Sequence, residues 1–183
     1  MIILILLGVL LPGTAAVHGE NDTLQALVET SAQRLQLASK VALAKWDSGA
    51  KVEDPAREKQ VIENAAREGQ AKGLDPTQVG DFFKAQIEAN KVIQYSLLSG
   101  WLAAGNAPPH APVDLAKEIR PQLDQIQIQL IDQLAQSAPV RSSQTCRENV
   151  AHAVAGYLAA HQLNPDARNA VALERAVGAT CTH

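Results

Sequence analysis

Two cations and two carboxamides stand where this sequence otherwise asks for apolar side chains. Read as a helix, residues 83–101 place Phe83, Ile87, Asn90, Gln94, Leu97 and Trp101 on one stripe, in steps of three and four. Four of those six are large and apolar, as a buried seam requires, but Asn90 and Gln94, one turn apart, are amides. An earlier stretch shows the same anomaly. Leu27, Ser31, Arg34, Ala38, Val41 and Lys45 share a stripe flanked by Leu24, Val28, Leu35 and Ala42. Arg34 and Lys45 are 11 residues apart, which brings them back to within ~20° of each other, about 16 Å apart along the axis. A long side chain lying along apolar surface with its head in water explains either cation alone. Together, with two amides on another inward stripe and no inward carboxylate to match, they are expensive to bury unpaired. A removable anionic ligand would resolve that cost.

Arg57 adds a third cation in the first turn of another helix, where free backbone N–H groups and the helix dipole also favour a carboxylate. Glu58 follows it and can accept a proton or hydrogen bond from a hydroxyl, although an acid in a first turn is also ordinary helix chemistry. Asp54 reads as the cap of that helix. The sequence offers no Ser-His-Asp pattern, no glycine-rich phosphate loop and no paired carboxylates arranged for acid–base work. None of the five histidines falls on the two inward stripes. Such a set can bind and polarise a small dianion, and any chemistry would proceed by positioning and electrostatic stabilisation.

The elements that must hold these residues are helical. Alanine is abundant and aromatic residues make up only 3% of the chain, a composition that favours helices over strands. No stretch alternates apolar and polar residues long enough to suggest a sheet. The pattern predicts an all-α single domain of about six helices, with one long N-terminal helix from about Thr23 to Trp46. Asp54-Pro55 opens a second helix and Asp75-Pro76 a third, with Gly73 as the stop between them. The third fades at "GNAPPHAPVD"; a fourth runs from about Asp114 to Ser137, with Pro121 bending it or marking its true start. A fifth covers roughly Ser143 to His161, and Asn164-Pro165 starts the sixth.

The formal charge is −3, with no basic stripe, so nucleic acid is not an expected partner. "IILILLGVLL" has the length of a signal-peptide core and is too short to span a bilayer as a helix. Residues 1–16 therefore read as an export signal cleaved near Ala16, leaving a domain over 17–183 with no membrane partner, in the periplasm or secreted. The usual positive charge before the apolar run is missing. Cys146 and Cys181 read as a disulfide in such an oxidising compartment, closing a loop of about 36 residues and contributing roughly 3–4 kcal/mol. The competing Cys-His metal site, with His183 two residues from Cys181 and His152 six from Cys146, has no zinc-motif spacing.

With Arg34, Lys45, Asp54, Arg57, Asn90 and Gln94 in view, the chain resembles the all-helical chorismate mutases, specifically their exported subclass. The successive spacings of 11, 9, 3, 33 and 4 match the family's active-site positions, and "ALAKW", "DPAREKQ" and "IQYS" look like local signatures of exported members. The resemblance covers about residues 24–101 well and extends more loosely to the two cysteines, which those members bridge. It implies a pericyclic conversion of chorismate to prephenate, one C–O bond breaking as a C–C bond forms, with no cofactor or metal. It further implies that Arg34 and Arg57 hold the two substrate carboxylates and that Asn90 helps anchor one. Lys45 and Gln94 would donate to the ether oxygen, while Asp54 and Glu58 lie near the ring hydroxyl. Related exported members are often dimers, each active site lying within one chain.

Two departures from the family pattern matter. Some exported members carry a further arginine from a later helix; Gln129 stands there in "IQIQLI", which leaves either a looser carboxylate clamp or Arg120 serving instead. Some relatives have Glu where this chain has Gln94, and an amide donates without titrating. The alternative to the enzyme is a non-catalytic secreted helical bundle that binds a small dicarboxylate or a partner protein.

Overall fold

A computed structural model of the chain describes residues 15–164 and 167–182, with side chains from Asp22 onward. The apolar run read as an export signal lies outside the described residues, as do Pro165 and His183. In chain order the elements are α1 (Ala15–Gln36), α2 (Ala38–Ser48), α3 (Pro55–Ala71), α4 (Pro76–Ala104), a π-helical turn (Leu115–Ile119) leading into α5 (Arg120–Gln136), α6 (Ala138–Arg141), α7 (Cys146–Ala160) and α8 (Arg168–Val177). There is no strand among the described residues. The architecture is all-α, as composition and periodicity indicate.

The boundaries follow from local chemistry. Asp54 caps α3 by accepting from Arg57 N at 3.1 Å, and Asp75 caps α4 by accepting from Thr77 N and Gln78 N. In both, proline fills the first helical position, where no N–H is needed. Gly73 takes φ +79° just after α3, a conformation other residues adopt only with strain. Pro121 sits just inside α5, and the chain meets it with the wide π turn, whose closing bond runs from Arg120 N to Leu115 O.

Three expectations need correction. The long N-terminal helix already includes Ala15, the first described residue, and is divided at Leu37, although Val41 N still bonds Leu37 O at 3.0 Å. The fifth helix begins at Cys146, and the single turn α6 precedes it. The last helix begins at Arg168, after the expected Asn164-Pro165 start, with no side-chain cap.

Helix α4 is the spine. It packs against α3, α8 and α2, while α1 lies against α5, α7 and α8. Gly69 of α3 permits the closest approach to α4, since a Cβ there would meet Val79 Cγ2 at 2.7 Å. Phe82 and Phe83 fill the centre edge to face with Leu24, Leu27, Leu130 and Leu173 around them, all buried. Cys146 and Cys181 form the expected disulfide, tying the start of α7 to the segment after α8.

Candidate active site

The pocket forms where the two anomalous stripes meet. Arg34 stands in the last turn of α1, Lys45 in the last turn of α2, Asp54, Arg57 and Glu58 at the start of α3, and Asn90 and Gln94 mid-way along α4. All seven line one cavity of about 140 Å³, closed by Leu115 and Ile119 of the π turn and by Arg120, Leu123, Asp124 and Gln127 of α5. Apolar walls come from Val41, Val52, Val61 and Ile87.

Arg34 is 6% exposed, and among the described residues its side chain makes one hydrogen bond, Nη1 donating to Gln86 O at 3.2 Å. No carboxylate among the described residues lies within ion-pair distance of it. Burial alone pushes its pKa down to about 10. Lys45 Nζ donates to Val52 O, which leaves two ammonium hydrogens for another acceptor. Burial holds this amine below its ordinary value; Asp54, Glu58 and Glu53 oppose the shift and Lys91 adds to it. Gln94 Nε2 donates to Asn90 Oδ1 at 2.7 Å, fixing both amides in the seam and leaving its second hydrogen for a ligand.

The carboxylates are already engaged. Glu58 accepts from Asp54 N at 3.1 Å and from Lys91 Nζ at 3.2 Å, while Arg57 reaches Gln60 at 2.9 Å and Asp124 at 3.4 Å. Lys91 also pairs with Glu88 at 2.7 Å. Burial opposes its charge, but the bonds to Glu88 and Glu58 prevail and hold the ammonium above its ordinary value.

Gln129 is not part of this site. It is exposed on α5, whereas Gln127 is buried, lines the cavity and donates to Glu68 at 3.0 Å. Two residues on a helix differ by about 200° in direction, so a site that includes 127 faces away from 129. Arg120, one turn past Ala116, does line the cavity. Lys91, Asp124 and Gln127 were not singled out in the sequence, where each has the look of ordinary helix-surface polarity.

A second, wider groove of about 700 Å³ runs between α7 and α8, lined mainly by Val150, Val154, Leu158, Leu163 and Val177. It gathers no comparable polar set. Among the described residues, no group of three His, Cys, Asp or Glu side chains is placed to hold a metal ion, and no helix is long and apolar enough to cross a membrane.

An all-helical domain with an inward cluster of cations and amides is the class that fold and site define, and comparison with known proteins narrows it. Residues 25–95 match the model of the family described as chorismate mutase type II. The chain is 33% identical to the secreted chorismate mutase of Mycolicibacterium smegmatis over 174 residues, covering 93% of this chain and 94% of that one. It is 32% identical to the secreted chorismate mutase of Mycobacterium tuberculosis, over 79% of this chain and 72% of the relative. The crystal structure of chorismate mutase from Burkholderia phymatum superposes with a TM-score of 0.84 at 40% identity, covering 90% of this chain and 99% of that one. The chain belongs to the chorismate mutase family. Relatives named as secreted agree with the reading of an exported, disulfide-bonded protein.

Proposed function

We propose that the cavity between α1, α2, α3, α4 and α5 is the site of the mutase reaction, the rearrangement of chorismate to prephenate. The observation that carries this reading is the charge of its lining: five cations (Arg34, Lys45, Arg57, Lys91, Arg120) against three carboxylates (Asp54, Glu58, Asp124). The excess of two positive charges suits a dicarboxylate, and chorismate is one.

Arg34, with most of its donor fork unused, takes one carboxylate, helped by Asn90. Arg57 and Arg120 take the other at the α3–α5 side, Arg57 exchanging its long contact with Asp124 for the substrate. Lys45 and Gln94 each keep a free hydrogen for the ether oxygen, where negative charge grows as the C–O bond breaks. Asp54 and Glu58 border the ring hydroxyl, Glu58 held in place by Lys91. A donor aimed at developing charge in a dry site contributes roughly 3–4 kcal/mol. Two of them approach the ~8 kcal/mol that a roughly 10⁶-fold acceleration demands, before any gain from clamping the reactive conformer. No side chain is asked to be a nucleophile or to carry a proton, which accounts for the absence of such a pattern from the inward stripes.

The test is chorismate consumption followed by ultraviolet absorbance, with prephenate identified as product. Lys45→Ala should lower kcat by about 10²–10³-fold while the protein stays folded. A bundle that only binds dicarboxylates would take up chorismate without turnover and would show no such dependence.

A further inference from the structure

Helix α4 carries a third carboxamide in line with the other two. Gln86 precedes Asn90 by four residues and Gln94 by eight, yet it does not line the cavity. It is 0% exposed and sits where three helices meet. Its Nε2 donates to Ser31 Oγ of α1 at 2.8 Å and to Ala176 O, near the end of α8, at 3.2 Å. Its own backbone oxygen is the acceptor that holds Arg34 Nη1. One turn on, Asn90 Nδ2 makes a longer contact of 3.5 Å with Arg34 O. Arg34 is therefore gripped at its guanidinium and at its main chain by the same face of α4.

The side chain of Gln86 is poorly suited to stability alone. Its Oε1 is buried with no partner among the described residues, a cost that an apolar residue of similar size would not incur. The amide instead fixes the register between α1 and α4. Ser31 lies one turn before Arg34, so a bond from Gln86 to Ser31 sets how far Arg34 stands from the carbonyl that orients it. The bond to Ala176 uses an end-of-helix carbonyl to brace the same point from α8.

We infer that Gln86 is a positioning residue for Arg34, holding the guanidinium against the substrate carboxylate without touching substrate. The inference rests on the reading that Arg34 binds chorismate. Gln86→Met keeps length and volume and removes both side-chain hydrogen bonds. In the folded variant, well below its Tm, kcat/KM for chorismate should fall by about tenfold to a hundredfold, with KM raised. In an Arg34→Lys background the same substitution should cost less than twofold, because the geometry it protects is already gone.

A purely structural role would lower Tm and leave the kinetics alone, or would give equal losses in both backgrounds; either result overturns the inference. Should Gln86→Met fail to fold, Ser31→Ala cuts the same bond from the other side. It should give a smaller loss of the same kind, and wild-type kinetics in that variant would also overturn it. Full activity in Arg34→Lys would instead sink the role of Arg34, whereas loss there with none in Gln86→Met sinks only the role of Gln86.

Discussion

Arg34 and Arg141 are both buried arginines with no carboxylate in ion-pair distance among the described residues, and they end differently. Arg141 is 2% exposed; its Nε donates to Thr180 O at 2.8 Å and its Nη1 to Leu134 O at 3.0 Å. Its own carbonyl accepts from Thr182 N at 3.1 Å. These bonds tie the C-terminal segment beside Cys181 to the end of α5, so the cation is spent on protein carbonyls. Arg34 makes one such bond and turns the rest of its fork to a cavity. Burial lowers the pKa of both, so a displaced pKa does not tell the two apart. What separates them is the donor capacity left over and the space in front of it.

That contrast can be broken by substitution. Arg141→Met should leave kcat/KM for chorismate unchanged while costing about 1–3 kcal/mol of stability, because Leu134 and Thr180 lose their donor. Thermal melts with kinetics below Tm check this, and a fall in turnover would extend the site to the C-terminal segment. A smaller effect distinguishes two residues of α5. Arg120→Ala should raise KM by roughly tenfold, the loss of one exposed carboxylate contact, whereas Gln129→Ala should change neither KM nor kcat.

The smallest effect is a flat line. Gln94 donates as an amide that does not titrate, so kcat/KM should hold steady between about pH 6 and 8. Activity should then be lost as pH rises through the pKa of Lys45, which burial places below the ordinary lysine value of 10.5. In Gln94→Glu only the protonated acid can donate, so activity should instead fall as pH rises through the carboxyl pKa. A steep loss in the wild type between pH 6 and 8 would remove Gln94 and Lys45 from their roles.

The contrast also marks what the sequence could disclose. The helix starts at Asp54-Pro55, Asp75-Pro76 and Asp114 were legible because a cap or a proline states a backbone requirement locally. The break at Leu37 has no glycine or proline to announce it, and α8 starts without a capping side chain. Arg34, Lys45, Asn90 and Gln94 were legible because a polar residue on an apolar stripe contradicts its own helix. Arg120 and Lys91 contradict nothing locally; they enter the pocket only through the angles at which α5 and α4 meet their neighbours. The same angles turn Gln129 outward and Gln127 inward. Arg141 lies on a single turn, too short for any stripe to reveal its burial.

The most direct test of the account is to measure turnover and Tm together in Arg34→Met. Removing a buried cation that lacks a carboxylate should leave Tm unchanged or raise it, while kcat/KM for chorismate falls by at least about a hundredfold. Activity retained in the folded variant would contradict the claim that this charge is buried for the substrate. So would a loss of stability as large as that expected for Arg141→Met.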